Sequence, residues 1–199
     1  MSNPRTLKLV LLIIIGLFLA ALAGIYVKSG GFGNAPIVSA AKKVPRLSAM
    51  PGFFLYGQPR HIDKISFVDG KGQPRTLDEW RGKVVLLNIW ATWCPPCRAE
   101  MPTLNNLQKT LGSDDFEVIA LSVDKGGPDV PRAFLKKTGS TALKVYNDKT
   151  ISVRSKLGLR GYPTTLLIGR DGRELGRLAG PAEWDSAGAR KLIENALKQ

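Results

Sequence analysis

The chain has 199 residues, with 29 basic and 16 acidic side chains, one histidine and two cysteines. Its formal charge is +13; six of the cations lie in residues 1–50, which contain no acid, so residues 51–199 carry +7. No segment combines a dense run of lysine and arginine with interleaved aromatic residues, which argues against nucleic-acid binding. The surplus charge suits an acidic partner or an anionic membrane surface, or is simply a soluble basic surface.

An uncharged apolar stretch, Leu9–Val27, is the first predicted element. At about 1.5 Å per residue it makes a helix about 28 Å long, which matches the core of a bilayer. More basic residues lie directly before this stretch than directly after it. This bias predicts that residues 1–8 are in the cytoplasm and that the residues after the stretch are outside. A cleaved signal peptide is the alternative, because Ala21-Leu22-Ala23 resembles a cleavage site. The length of the run favours a retained anchor; either way the C-terminal domain is predicted to be exported, to the periplasm in a Gram-negative cell.

Residues 28–50 are predicted to be a linker, and residues 51–199 a single domain. Hydrophobic patterns and turn signals predict its elements in chain order. They are a β-hairpin from 64–68 and 74–77, a buried strand 83–90, a helix 94–111, a strand 116–123, a helix 131–138, a short strand 143–146, a helix 151–157, strands 164–168 and 174–179, and a helix starting at Pro181. This order is typical of an α/β fold with parallel central strands and a final antiparallel hairpin.

The two cysteines, Cys94 and Cys97, follow the predicted strand 83–90 and open the next predicted helix. A sulfur at a helix N-terminus is placed where the helix dipole stabilises a thiolate, and the second sulfur is close enough to form a disulfide with it. A structural bridge is disfavoured, because a loop of about four residues restricts the unfolded chain little. With His61 the only histidine, a four-ligand zinc site cannot be assembled, and neither a metal nor a cofactor is predicted.

Cys94 is the predicted nucleophile of this pair. Its thiolate attacks a disulfide of a partner to form a mixed disulfide, which Cys97 then resolves. Pro95 and Pro96 have no N–H, so two amides near the helix start cannot donate to the Cys94 sulfur. Weaker stabilisation of the thiolate predicts a more reducing couple, although both prolines also suit the start of a helix.

The segment around the two cysteines resembles the corresponding segment of a known protein family. The segment WATWCPPCRAEMP, residues 90–102, resembles the active-site segment of the TlpA/ResA-like thioredoxins. The segment YPTT, residues 162–165, resembles their cis-proline loop, and AGPAEW, residues 179–184, is similar to TlpA in particular. The resemblance covers roughly residues 60–198 and, more loosely, the N-terminal anchor. It implies a thioredoxin fold, a central mixed sheet flanked by helices, with an N-terminal β-hairpin extension and a transmembrane helix.

The same resemblance implies a function. Family members are membrane-tethered periplasmic thiol–disulfide oxidoreductases, often reductants in the assembly of cytochrome c or of the copper site of cytochrome oxidase. The implied partners are protein substrates with disulfides or dithiols and an upstream electron donor in the membrane. Two alternatives stay open, a thiol oxidase of the same fold and a copper-binding carrier that uses the dithiol as soft ligands.

Three further site residues follow from the resemblance. Pro163 is expected to be a cis-proline opposite Cys94, with the backbone of Tyr162 pairing with an extended segment of the partner. Trp93 is expected at the rim, where it shapes docking. The other tryptophans, Trp80, Trp90 and Trp184, are predicted to pack in the core.

Glu100 is the predicted accessory acid. It lies three residues after Cys97, so both side chains can share one helix face. The resemblance implies an active-site acid there that assists proton transfer; the alternative is a solvated surface glutamate. Asn88 stands where many thioredoxins have a buried aspartate, so that position supplies no proton acceptor.

Overall fold

The computed structural model describes residues 50–199, in which eight strands form one mixed sheet. The strands in chain order are β1 (Phe54–Arg60), β2 (Ser66–Asp69), β3 (Pro74–Thr76), β4 (Val84–Trp90), β5 (Phe116–Ser122), β6 (Tyr146–Asn147), β7 (Thr164–Ile168) and β8 (Glu174–Ala179). The helices of this range are α1 (Pro95–Leu111), α2 (Asp129–Lys137), α3 (Ser152–Lys156) and α4 (Ala187–Leu197), with a 3-10 turn at Leu77–Trp80.

The order of strands across the sheet is β1-β8-β7-β4-β5-β6-β2-β3. The neighbours β4, β5 and β6 run parallel, and every other pair in the sheet is antiparallel. All residues of β4 and β5 are buried, as their continuous apolar sequences predict for strands covered on both faces. This central mixed sheet and its helices are the arrangement that the resemblance implies.

The parallel strands place the CxxC segment at one end of the sheet. Trp90, the last residue of β4, pairs with Ser122 of β5, so the chain leaves both strands at the same edge. The segment that carries the cysteines follows β4 directly, and α1 returns along the sheet. The loops after β5 and β6 emerge at this same edge, which we call the active end.

The structure differs most from the sequence prediction in three places. Strand β1 was not predicted, because Gly57 and Pro59 interrupt its pattern; it is an edge strand, where such residues are tolerated. The predicted strand 143–146 is reduced to Tyr146–Asn147. The last helix begins at Ala187 rather than at Pro181, because Ser186 caps it by accepting the N–H of Ala189 at 3.2 Å.

The core surrounds the central strands and includes two of the three tryptophans predicted there. Trp90 and Trp184 are fully buried. Trp80 is half-buried and lies 5.6 Å from the ring of Tyr146 and 6.0 Å from that of Phe67.

The predicted cytoplasmic residues 1–8, the anchor 9–27 and nearly all of the linker 28–50 lie outside the described residues. Within residues 50–199, no helix combines the length and the apolar composition needed to cross a bilayer.

Candidate active site

Cys94 and Cys97 are joined by a disulfide at the start of α1. Cys94 is the N-cap of this helix, and its Sγ accepts the N–H of Cys97 at 3.4 Å. Cys94 keeps 5% of its surface exposed and Cys97 none. A partner therefore reaches the sulfur of Cys94 first, which agrees with its predicted role as the nucleophile.

The two prolines of the motif occupy the first two positions of α1. Both are exposed, and neither has an N–H to offer the sulfur of Cys94. The first amide available in this helix is that of Cys97, which already donates to Cys94. The sulfur of Cys94 thus lies at the positive end of the helix dipole. It has fewer N–H donors near it than it would have in an ordinary first turn.

The peptide bond between Tyr162 and Pro163 is cis. Pro163 is buried and leads into β7, whose Thr164 pairs with Ile89 of β4, so the cis-proline loop lies beside the strand that leads to Cys94. The carbonyl of Pro163 accepts the N–H of Gly180 at 2.9 Å, which ties the loop to the segment after β8.

Trp93 and Tyr162 form an aromatic pair beside the disulfide. The indole of Trp93 is 59% exposed, and its ring centre lies 5.9 Å from that of Tyr162 in an edge-on contact. Burial raises the pKa of Tyr162, while the charge of Arg154 lowers it and that of Asp148 raises it. A large exposed ring directly before the nucleophile is consistent with the docking role predicted for Trp93.

Glu100 is buried, with 2% of its surface exposed, so the alternative of a solvated glutamate is wrong. Its Oε1 accepts the side-chain amide of Asn88 at 2.7 Å. Its Oε2 accepts the backbone N–H of Ala182 and the indole N–H of Trp184, both at 3.0 Å. The carboxylate therefore bridges α1, β4 and the segment after β8.

Burial raises the pKa of Glu100 from 4.5 to about 7, although the hydrogen bonds from Trp184, Asn88 and Ala182 act in the opposite direction. A carboxyl group with this pKa can hold or release a proton near neutral pH. Its position one turn after Cys97 suits the predicted role of accessory acid.

Asn88 contributes as a hydrogen-bond donor rather than as an acid. Its side chain is fully buried, and Nδ2 donates both to Glu100 and to Oγ1 of Thr165 at 2.9 Å. The sequence predicts a core position for Trp184 but not its hydrogen bond to Glu100. The signal was present in the segment 179–184, which resembles TlpA.

A second buried carboxylate at the site, Asp124, is not predicted from the sequence. It is 4% exposed and accepts both the N–H of Thr92, at 3.1 Å, and the Oγ1 hydroxyl of Thr92, at 2.8 Å. Ser122 Oγ donates to it at 2.7 Å. Because Thr92 lies two residues before Cys94, Asp124 fixes the segment that presents Trp93 and the nucleophile.

Within the part of the chain that the structure describes, no three side chains of histidine, cysteine, aspartate or glutamate are grouped so as to hold a metal ion. His61 is exposed at the end of β1.

Comparison with known proteins shows the family. The family model described as Redoxin matches residues 40–193. The thiol-disulfide oxidoreductase ResA of Bacillus thuringiensis (strain Al Hakam) is 33% identical over 145 residues, 67% of this chain and 82% of that protein. The thiol:disulfide interchange protein HelX of Rhodobacter capsulatus is 36% identical over 104 residues, 52% of this chain and 56% of that protein. The chain therefore spans 82% of the length of this ResA and 56% of the length of this HelX.

Among solved structures, one assigned as a thiol:disulfide interchange protein DsbE from Chlorobium tepidum has a TM-score of 0.63 and 27% identity, and the match covers 70% of this chain and 97% of that one. The residues that the Redoxin model matches, 40–193, contain the CxxC segment, the cis-proline loop and the strands that hold them. The chain belongs to the Redoxin family, and within it to the TlpA/ResA-like thiol–disulfide oxidoreductases built on the thioredoxin fold.

Proposed function

We propose that the protein is a membrane-tethered, exported reductant of protein disulfides. We infer the direction of electron flow from the first turn of α1. There Pro95 and Pro96 remove two amide donors beside Cys94. An oxidase owes its potential to a strongly stabilised thiolate in the reduced form. With fewer donors the thiolate is stabilised mainly by the helix dipole, so the dithiol gives up its electrons readily.

The reaction begins with the reduced dithiol. The Cys94 thiolate attacks one sulfur of the partner disulfide, a mixed disulfide forms, and the other partner sulfur leaves as a thiolate. Cys97 loses its proton and attacks Cys94 Sγ, which forms the Cys94–Cys97 disulfide and releases the second partner thiolate. Two electrons pass to the partner, whose thiolates take up protons, and an upstream dithiol donor in the membrane restores the enzyme.

Glu100 is positioned to take the proton of Cys97 in the resolving step. Cys97 is fully buried, so water reaches its thiol poorly, and Glu100 lies one helical turn further along α1. A pKa of about 7 lets this carboxylate accept a proton at the pH where the enzyme works and release it afterwards.

The substrates we propose are proteins of cytochrome c or cytochrome oxidase assembly, including those of the copper site. The support is the resemblance of the CxxC and cis-proline segments to the TlpA/ResA-like family and the matches to ResA and HelX. Trp93 and Tyr162, with the cis-proline loop beside them, offer a surface against which an extended segment of such a protein can lie.

We expect the midpoint potential of the Cys94–Cys97 couple to lie nearer that of thioredoxin, about −270 mV, than that of a strong oxidase, about −120 mV. The measurement is equilibration of the full-length protein in detergent against glutathione redox buffers. In the comparison variant Pro95→Ala/Pro96→Ala two amide donors return, and its midpoint should rise. A wild-type midpoint above about −180 mV would favour the thiol oxidase instead.

We also propose that residues 9–27 anchor the enzyme in the inner membrane, with the N-terminus in the cytoplasm and the catalytic domain in the periplasm. The support is the uncharged apolar span and the bias of basic residues before it. We expect the protein to stay in the membrane fraction after alkaline carbonate washing, whereas a chain lacking residues 1–27 is washed off. A mature N-terminus at Gly24 would show a cleaved signal peptide instead.

A further inference from the structure

Exposed cations surround the CxxC segment at the active end of the sheet. Five of these exposed cations take part in no ion pair within residues 50–199. We call these side chains the basic rim: Arg98, Lys125, Lys149, Arg154 and Arg160.

Three members of the basic rim are close in sequence to residues of the site. Arg98 directly follows Cys97 in the first turn of α1. Lys125 follows Asp124, whose carboxylate binds Thr92. Arg160 lies two residues before Tyr162, at the entrance to the cis-proline loop.

The remaining two cations lie on the loop after β6 and on α3. Arg154 is near enough to Tyr162 for its charge to act on that phenol, as does the charge of Asp148. Lys149 follows Asp148 in the chain. The rim thus extends from α1, past the aromatic pair, to the loops after β5 and β6.

Two arginines at the opposite end of the sheet are each paired with an aspartate. There Arg170 pairs with Asp115 at 2.7 Å, and Arg173 pairs with Asp171 at 2.7 Å. Both pairs lie beside the start of β4, since Gly82 N–H donates to the carbonyl of Arg170 and Val84 N–H to that of Asp115. The charges of Arg170 and Arg173 are therefore balanced locally, unlike those of the basic rim.

The carboxylates of the active end face inward. Glu100, Asp124 and Asp148 are each less than 5% exposed, and their oxygens accept hydrogen bonds from the protein itself. Asp148, for example, accepts the backbone N–H of Val153 at 2.9 Å. These buried charges weaken the field of the rim but offer a partner no contact.

Three exposed acids lie nearby: Glu183 and Asp63 are on flanking segments, and Asp129, at the start of α2, pairs with Arg132. The five outward cations outnumber them. The surface that a partner meets around Cys94 is therefore mainly cationic.

Two members of the rim, Lys125 and Lys149, line a cavity of about 690 Å³ formed by the loops after β5 and β6 together with β2. Its lining also includes apolar groups of Phe67, Val68 and Pro128. Cavities of about 300–1,000 Å³ hold drug-sized ligands, so this one has room for side chains of a docked chain. Cations above an apolar lining suit side chains that combine an apolar stem with a carboxylate.

From these observations we infer that the basic rim docks an acidic segment of the protein substrate, with the side chains of that segment entering the cavity beside Lys125 and Lys149. This inference rests on the proposed function, because it names the charge of the substrate at the same site. Complementary charge around the disulfide steers the partner toward Cys94 and excludes basic partners.

The test uses two cyclic peptides that share one disulfide and differ in their flanking residues, glutamates in one and lysines in the other. We expect the full-length reduced enzyme in neutral detergent to reduce the glutamate peptide with a kcat/KM about tenfold higher than the lysine peptide at low salt. Raising the salt to about 1 M, where the Debye length is about 3 Å, should remove most of this preference.

The variant Lys125→Glu/Lys149→Glu should bring the ratio of the two kcat/KM values to about one or invert it. Reduction of the small neutral hydroxyethyl disulfide should not change, because that substrate has no charge to steer. The matched control is Lys136→Glu/Lys137→Glu, an equal change of charge on exposed residues at the far end of α2, which should keep the wild-type ratio.

A ratio that Lys125→Glu/Lys149→Glu leaves at the wild-type value overturns the inference. In that case the protein would be placed in nanodiscs that contain spin-labelled phosphatidylglycerol, and quenching of its tryptophan fluorescence would be measured. Quenching that is seen in the wild type and lost in Lys125→Glu/Lys149→Glu would assign the basic rim to the membrane surface instead. Binding of both peptides to Cys94→Ser/Cys97→Ser separates docking from chemistry. A preference for the glutamate peptide in this inactive variant supports the inference even if the direction of electron transfer proves to be oxidation.

Discussion

We expect Cys94→Ser to abolish the reduction of a model disulfide by the protein. The serine hydroxyl is a poor nucleophile at neutral pH, and Cys97 cannot replace Cys94, because its sulfur is fully buried beneath the first turn of α1. The measurement is turnover of insulin disulfides with dithiothreitol as the electron source. Retained turnover in Cys94→Ser would falsify the assignment of the nucleophile.

The companion variant Cys97→Ser distinguishes the two roles. Its Cys94 can still attack, but no second thiol resolves the mixed disulfide, so complexes should accumulate on non-reducing gels. Expressed in the native host, this variant should capture the substrate proteins, and mass spectrometry identifies them. Capture of proteins with no part in cytochrome or copper-site assembly would contradict the substrates that we propose.

The second large effect is expected at Glu100. Its pKa is about 7 in the folded protein and about 4.5 in the unfolded chain, so between these values the native state keeps a proton that the unfolded state has lost. The free energy of unfolding therefore falls as the pH rises through this window, by about 3 kcal/mol in all. Denaturant unfolding at about pH 5 and about pH 8 measures this fall, and Glu100→Gln should remove it.

The same variant should slow catalysis. Without the carboxylate one helical turn from the buried Cys97, the thiol must lose its proton by another route. We therefore expect turnover to fall about a hundredfold, the lower end of what a general acid–base contributes. The matched control is Glu117→Gln, which alters a buried carboxylate on β5 that binds Lys144 at 3.0 Å. This control still carries Glu100, so it should keep both the catalytic rate and the pH dependence of stability. Wild-type turnover in Glu100→Gln would sink the proton-transfer role.

Local sequence determines much of the fold. The continuous apolar runs of β4 and β5 predict buried parallel strands, and both are found with boundaries within one residue of the prediction. The helix after the CxxC segment is found at Pro95–Leu111, because proline suits its first turn and the leucines recur at helical spacing. With Gly57 and Pro59 interrupting its local pattern, strand β1 depends on pairing with β8, whose residues are 114 to 123 positions away in the sequence.

The sequence by itself also determined the chemistry, because two cysteines separated by two prolines after a buried strand fit few functions other than thiol–disulfide exchange. Tertiary structure decided the environment of that dithiol. Glu100 is a buried carboxyl rather than a surface one because Asn88 and Trp184, distant in sequence, enclose it. Burial and hydrogen bonding depend on how strands and loops meet in space, so the shifted pKa of Glu100 is a property of the fold and not of the motif.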